Sequence, residues 1–193
     1  ALDWGPAHGL GFSHVVTLGD SLDVDAGDVI DHLADDPATQ VILVYLEALT
    51  DAGKFMAAAR RATLAKPVLL LKGGRSAAGA RAAFSHTRAL AGADAVYSAA
   101  FRRAGVMQLD GLDELLETAL AVCAARGTAP GSLAIVTNGG GAGVLATDAL
   151  ERAGGRLTQL STETRTALQA VLPASASSGN PVDILGDAPP ALH

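Results

Sequence analysis

The stretch QVILVYLEALTDAGKFMAAARRATLAKPVLLLK, residues 40–72, predicts a strand, a helix and a second strand in succession. Residues 40–46 and Val68–Lys72 are unbroken apolar runs of strand length, which is typical of strands buried on both faces. Between them, Asp51 can cap a helix that Lys66-Pro67 ends. Strands that are joined by such a helix lie parallel. The stretch therefore predicts an α/β fold, a parallel β-sheet with flanking helices.

The same alternation extends to both sides, and a linker-like segment, TAPGS at residues 128–132, divides it. Two domains are predicted, residues 1–127, without the usual first strand, and residues 128–193, the truncated start of a second α/β domain. The chain is expected to be a piece of a longer polypeptide. Leu133–Leu160 forms a β–α–β unit that could complete the first sheet. Further predicted strands are Phe12–Leu18, Val106–Leu109, Leu133–Thr137, Arg156–Leu160 and Val182–Leu185, and further predicted helices are Asp25–Ala34, Ala93–Ala104, Leu112–Ala125, Val144–Ala153 and one that Ser161 caps.

Composition narrows the class of protein. The 193 residues are 49% hydrophobic and 18% charged, which is typical of a folded globular protein. A net charge of −6 argues against nucleic-acid binding, and the apolar runs are too short to span a membrane. The single cysteine, Cys123, predicts a core thiol in a cytoplasmic protein. No spacing of histidine, cysteine and carboxylate residues predicts a metal site.

His86 is the strongest candidate for chemistry. It lies in KGGRSAAGARAAFSHTRALAGAD, residues 72–94, within one loop of the predicted strand end at Lys72, where ligands of open α/β sheets gather. Neutral imidazole is a good nucleophile and can carry phosphate covalently. Its second ring nitrogen needs an acceptor, and Glu47 follows the adjacent strand. The alternative for His86 is an ordinary histidine in a surface loop, and the alternative for Glu47 is a solvated carboxylate at a strand end.

Two glycine-containing turns are candidate anion sites. Residues 137–145, TNGGGAGVL, place backbone N–H groups at a helix start, where they can bind phosphate. The spacing is neither GxGxxG nor a P-loop, so a turn without a ligand is the alternative. KGGRSAAG, residues 72–79, is a second candidate, with Arg75 as a phosphate clamp or as a solvated side chain. The candidate phosphate-binding residues of the first turn are Gly139, Gly140, Gly141, Ala142 and Gly143.

The chain resembles the NDP-forming acyl-CoA synthetases over nearly its whole length. The segments that carry the resemblance include VYLEAL, SHTRALAG, TNGGGAGVL and NPVD. These enzymes are related to the succinyl-CoA synthetase α subunit, and the same region occurs fused in bacterial protein lysine acetyltransferases. The resemblance implies flavodoxin-like (succinyl-CoA-synthetase-like) domains at residues 1–127 and 128–193.

The resemblance also implies a reaction. Phosphate would pass from an acyl phosphate to His86 and then to ADP, with Glu47 as the partner of the histidine. Ser85, Thr87 and the helix start after the glycine turn would bind the phosphate. Arg88 stands where the family usually has glycine, so its guanidinium could clamp the phosphate or crowd the donor.

The resemblance places the cofactors mostly on other domains. CoA or acyl-CoA would bind an N-terminal Rossmann domain, and ADP or ATP with Mg²⁺ would bind an ATP-grasp domain or subunit. This chain alone is therefore expected to be inactive. The leading interpretation is part of an ADP- or NDP-forming acid–thiol ligase. One alternative is a regulatory region that senses acyl-CoA or nucleotide for a fused acetyltransferase. Another is an α/β ligand-binding domain without phosphoryl chemistry.

Overall fold

A computed structural model describes residues 2–19, 21–76, 78–79, 81, 94–125 and 132–188. The chain divides into two compact units, Ala1–Arg126 and Gly127–His193. The described helices of the first unit are α1 (Trp4–Ala7), α2 (Ala26–Asp35), α3 (Ala52–Ala65), α4 (Asp94–Ala104) and α5 (Leu112–Ala124), and its strands are β1 (Ile42–Leu46), β2 (Val68–Lys72) and β3 (Met107–Leu109).

The three strands form one parallel sheet in the order β1-β2-β3. Ile42 pairs with Val68 at the start of β1, and Leu46 pairs with Lys72 at its end. Because side chains alternate across a strand, each strand supplies apolar residues to both faces of the sheet. The predicted α/β fold with a parallel sheet and flanking helices is confirmed.

Helices cover both faces of this sheet. On one face, α2, α3 and α4 bury an apolar cluster in which the rings of Phe55 and Phe101 lie 5.8 Å apart between centroids. On the other face, α5 packs Leu115 and Leu116 against Leu69. Cys123, predicted to be a core thiol, is only half-buried and packs against the edge of this second cluster. Burial of both faces explains why β2 is a continuous apolar run. The same prediction was wrong for β1, because Tyr45 on one face of that strand is 64% exposed.

The helix ends follow from polar residues in the sequence. The Asp51 carboxylate accepts a hydrogen bond from the backbone N–H of Lys54 at 2.9 Å, which confirms the predicted cap of α3. Asp25 and Asp28 form a reciprocal capping box at the start of α2. Because these caps satisfy first-turn N–H groups, they fix where each helix begins.

Phe12–Leu18 is not a strand, so this prediction was wrong. Val15 and Val16 are 59% and 53% exposed. The segment is tied to the rest of the unit by a 2.8 Å hydrogen bond between the Ser13 and Thr39 hydroxyls. A β-branched run becomes a strand only where a neighbouring strand and a packing surface are available. Among the described residues, this segment has no strand partner.

The second unit contains β4 (Val136–Thr137), α6 (Gly140–Arg152), α7 (Thr162–Val171) and β5 (Val182–Asp183). The strands β4 and β5 are parallel, and Val136 pairs with Val182. The Ser161 hydroxyl accepts a hydrogen bond from Thr164 N–H at 3.1 Å, which confirms the predicted cap of α7.

Two predictions for the second unit need correction. Arg156–Leu160 is not a strand, since Leu157 makes only an isolated bridge to Leu133. The hypothesis that Leu133–Leu160 completes the first sheet is contradicted, because the described strands form two separate sheets. The first prediction failed because backbone pairing decides strand length, and the second failed because β4 pairs with β5. Among the described residues, no helix combines the length and apolar character that crossing a bilayer requires.

Candidate functional site

Several polar residues of the first unit, the candidate Glu47 among them, lie at the carboxyl ends of its parallel strands. Glu47 directly follows β1, Lys72 is the last residue of β2, and Asp110 directly follows β3. We call this region the carboxyl edge. The sequence predicted Glu47 there from topology alone, and parallel strands place such residues at one edge of the sheet.

The two carboxylate oxygens of Glu47 have different surroundings. The hydroxyl of Tyr45 donates a hydrogen bond to Oε1 at 3.1 Å. The other oxygen, Oε2, is buried and has no hydrogen-bond partner among the described residues. A buried acceptor without a donor is costly, so native sites normally supply a partner. Oε2 of Glu47 is therefore available as an acceptor for a hydrogen-bond donor that is not among the described residues.

Lys72 fixes the backbone beside Glu47. Its ammonium group donates hydrogen bonds to the carbonyl oxygens of Glu47 at 2.6 Å and Gly73 at 2.5 Å. The same nitrogen lies 4.9 Å from the centroid of the Tyr97 ring. Burial lowers the pKa of Lys72, and the charges of Asp94 and Glu47 oppose this shift. The ammonium thus joins the ends of β1 and β2 to α4.

Gly73 allows the two strand ends to approach each other. A Cβ at this position would lie 2.8 Å from the Tyr45 hydroxyl and 3.3 Å from Cγ of Glu47. The Gly73 N–H also donates to the Leu46 carbonyl at 2.8 Å, one residue beyond the paired strands. A side chain here would displace the hydroxyl that binds Glu47, so the close contact requires glycine.

Arg75, the predicted clamp, is engaged by carboxylates of this chain. Its Nε donates to the two oxygens of Asp94 at 3.1 and 3.2 Å, and its Nη1 contacts Asp110. These bonds raise the pKa of Arg75, with the bond to Asp110 as the larger cause. The guanidinium links the segment after β2 to the start of α4 and the end of β3. A phosphate at Arg75 would have to share or replace these partners.

The glycine turn of the second unit opens a helix, as predicted. Gly139 is the N-cap of α6, and its N–H donates to the Thr137 hydroxyl at 3.1 Å. The N–H groups of Ala142 and Gly143 donate to the Gly139 carbonyl at 3.0 and 3.2 Å. First-turn N–H groups and the helix dipole favour a negative charge at this position.

A carboxylate of the second unit already lies near this helix start. A Cβ on Gly140 would lie 3.0 Å from Oδ2 of Asp183, at the end of β5. Asn180 supports the same region, because its side chain accepts from Ile135 N–H at 3.0 Å and donates to the Leu133 carbonyl at 2.9 Å. Any anion that binds the turn would therefore lie near the negative charge of Asp183, and both would interact with the positive end of the α6 dipole.

The structure brings Glu47 and the loop of Arg75 to one edge of the first unit, and it places Gly139, Gly140, Gly141, Ala142 and Gly143 at a helix start of the second. The predicted residues Ser85, His86, Thr87 and Arg88 lie outside the described residues. Sequence reasoning missed the contributions of Tyr45, Lys72 and Asp183. A signal for Tyr45 was available, since residues two apart in a strand share a face. Within the described part of the chain, no group of three or more histidine, cysteine, aspartate or glutamate side chains is arranged to bind a metal.

Comparison with known proteins gives two family matches. The family described as "Succinyl-CoA ligase like flavodoxin domain" matches residues 1–122, and the family described as "Ligase-CoA domain" matches residues 133–193. The two matches correspond to the two units of the structure.

Two of the similar proteins are named as ADP-forming acetate–CoA ligases. An acetate–CoA ligase [ADP-forming] I of Archaeoglobus fulgidus is 45% identical over 97% of this chain and 27% of its own length. The α subunit of acetate–CoA ligase [ADP-forming] II of Pyrococcus furiosus is 38% identical over 93% of this chain and 39% of its own.

A solved structure has the same fold. The dinucleotide-forming acetyl-coenzyme A synthetase 1 of Candidatus Korarchaeum cryptofilum, in complex with phosphate and ADP, matches with a TM-score of 0.80 and 33% identity. The match covers 95% of this chain and 40% of that one. The chain thus spans about a quarter to two fifths of these relatives. It belongs to the family of the succinyl-CoA ligase-like flavodoxin domain, which matches residues 1–122.

Proposed function

We propose that this chain is the phosphate-carrying part of an NDP-forming acyl-CoA synthetase, with His86 as the carrier. The relatives reported above are named as ADP-forming CoA ligases, which supports this class of reaction. These names favour the synthetase over a regulatory region of an acetyltransferase. The acyl substrate is proposed only as a carboxylic acid that becomes its CoA thioester.

The observation that carries the proposal is the unpartnered, buried Oε2 of Glu47 at the carboxyl edge. A histidine that carries phosphate on one ring nitrogen keeps an N–H on the other, and a carboxylate is the natural acceptor for that N–H. Glu47 directly follows β1, which pairs with β2, and the segment that contains His86 follows β2 in the sequence. The position of the carboxylate beside the end of β2 supports its proposed role.

In the direction of ATP formation, the unprotonated ring nitrogen of His86 attacks the phosphorus of an acyl phosphate, and formation of the CoA thioester uses the same phosphoryl transfers in reverse. An N–P bond forms, the P–O bond to the acyl group breaks, and the carboxylate leaves with the bonding electrons. The phosphorylated imidazole retains its second N–H and a positive charge, which the Glu47 carboxylate stabilises. A terminal oxygen of ADP then attacks the phosphorus, the N–P bond breaks, and neutral imidazole and ATP are formed.

The binding sites for CoA and for the nucleotide are proposed to lie on partner domains or subunits. CoA would bind an N-terminal Rossmann domain, and ADP or ATP with Mg²⁺ would bind an ATP-grasp domain, as the resemblance implies. Within this chain, Ser85, Thr87 and the N–H groups at the start of α6 are proposed to bind phosphate oxygens. Arg75 and Arg88 are proposed as clamps. For Arg75, clamping requires the guanidinium to exchange Asp110, which is 82% exposed, for phosphate.

The test uses the full-length protein with γ-labelled ATP, followed by peptide mapping of the label. We expect label that is lost in acid, survives alkali and maps to the peptide with His86, because phosphohistidine has this stability. Acid-stable label, or label on another peptide, would contradict the carrier role. No label despite intact nucleotide binding would favour the regulatory region.

Replacing Glu47 with glutamine should slow phosphorylation of His86 about 100-fold without abolishing it. Glutamine retains the shape and an acceptor oxygen, but it loses the charge that stabilises the phosphorylated imidazole. Removing one group that stabilises a developing charge costs about 10²–10³-fold in rate. The measurement is the single-turnover rate of label incorporation. Glu117→Gln, an exposed carboxylate of α5, is the matched control and should keep the wild-type rate. Equal rates for Glu47→Gln and wild type would remove Glu47 from the mechanism.

A further inference from the structure

Three neighbours constrain the position of Glu47 at the carboxyl edge. Lys72 binds its backbone carbonyl at 2.6 Å, so the ammonium fixes the main chain. Gly73 leaves the space in which the Tyr45 hydroxyl reaches the carboxylate. Of the described side chains, only Tyr45 forms a hydrogen bond with the carboxylate itself, at 3.1 Å. The orientation of the carboxylate therefore depends on this one hydroxyl.

The hydrogen bond from the Tyr45 hydroxyl makes the two carboxylate oxygens of Glu47 inequivalent. A freely rotating carboxylate would present either oxygen to a donor, and its rotamer entropy would be lost each time a donor bound. With Oε1 occupied, the buried Oε2 is the oxygen that remains for an incoming donor. Preorganising an acceptor in this way reduces the cost of reorganisation when charge develops beside it.

We propose that Tyr45 is a positioning residue of this site, whose hydroxyl holds Glu47 so that Oε2 is the acceptor for the group that Glu47 serves. In the proposed function, on which this inference rests, that group is the N–H of the phosphorylated imidazole. Burial, and secondarily the hydrogen bond to Glu47, raise the pKa of Tyr45. The hydroxyl therefore remains a proton donor at neutral pH.

The test is a double-mutant cycle in the full-length protein. It compares wild type, Tyr45→Phe, Glu47→Gln and the double variant, and it measures the single-turnover rate of acid-labile labelling by γ-labelled ATP. Phenylalanine keeps the ring and removes only the donor. We expect Tyr45→Phe to slow labelling about tenfold, the effect of losing one hydrogen bond to a charged group, with unchanged ATP affinity and melting temperature.

The cycle separates positioning from a structural role. If Tyr45 acts through the Glu47 charge, adding Tyr45→Phe to Glu47→Gln should change the rate less than about twofold. A wild-type rate for Tyr45→Phe would overturn the inference, and so would an equal tenfold loss in both backgrounds. Wild-type protein that takes no label at all would instead refute the proposed function, and this inference with it.

Discussion

Full-length protein with alanine in place of His86 should take up no acid-labile phosphate from γ-labelled ATP and should form no acyl-CoA. If His86 is the proposed covalent carrier, its removal leaves no atom to accept the phosphorus, so the loss of turnover should be at least about 1,000-fold. Stability should change little, because a histidine in a polar loop is expected to contribute little to an apolar core. The melting temperature should therefore match wild type.

His32→Ala is the matched control for this experiment. His32 is an exposed histidine in the last turn of α2, so its removal deletes an imidazole without touching the carboxyl edge. We expect wild-type labelling for this variant. Labelling that survives in His86→Ala would exclude His86 as the carrier. Loss of labelling in parallel with a lowered melting temperature in both variants would instead show that labelling reports folding.

Local patterns were sufficient to predict most of the first unit. The apolar runs of β1 and β2 are continuous and easy to recognise as strands, although only β2 is buried on both faces. Asp51 and Ser161 were predicted as helix caps because capping depends on one short-range hydrogen bond. The prediction of a strand at Phe12–Leu18 was wrong because β-branched residues only favour the extended conformation. A strand also needs a neighbouring strand with which to pair, and the sequence pattern does not show whether one is present.

The sequence predicted the candidate site only where the order and direction of the strands determine the position of a residue. Glu47 was placed at the carboxyl edge because strand order and direction follow from the βαβ pattern. The partners of Arg75 are 19 and 35 residues away in sequence, and no local pattern encodes such pairs. Two donors of the site were not assigned from the sequence, because Lys72 was interpreted only as the end of a strand and Tyr45 only as part of an apolar run.

Replacing Lys66 with methionine should destabilise the first unit by about 3 kcal/mol. Lys66 is 8% exposed, and its ammonium donates to the carbonyls of Leu33 at 2.8 Å, Asp36 at 2.7 Å and Thr39 at 2.9 Å. These oxygens lie at and beyond the end of α2, where carbonyls lack helical partners. Methionine fills similar space but donates nothing, so the charge-assisted bonds are lost.

Hydrogen exchange in the full-length protein can localise this effect. The amides around the end of α2 and the start of β1 should exchange about 100-fold faster in Lys66→Met, since each 1.4 kcal/mol is about tenfold. Lys54→Met is the matched control, because Lys54 is 39% exposed and binds the carboxylates of Asp25 and Asp28 rather than buried carbonyls. Exposed ion pairs contribute about 0–1 kcal/mol, so this control should change exchange less than about fivefold. Equal effects of the two substitutions would show that the ammonium of Lys66 is not what holds α2 to the sheet.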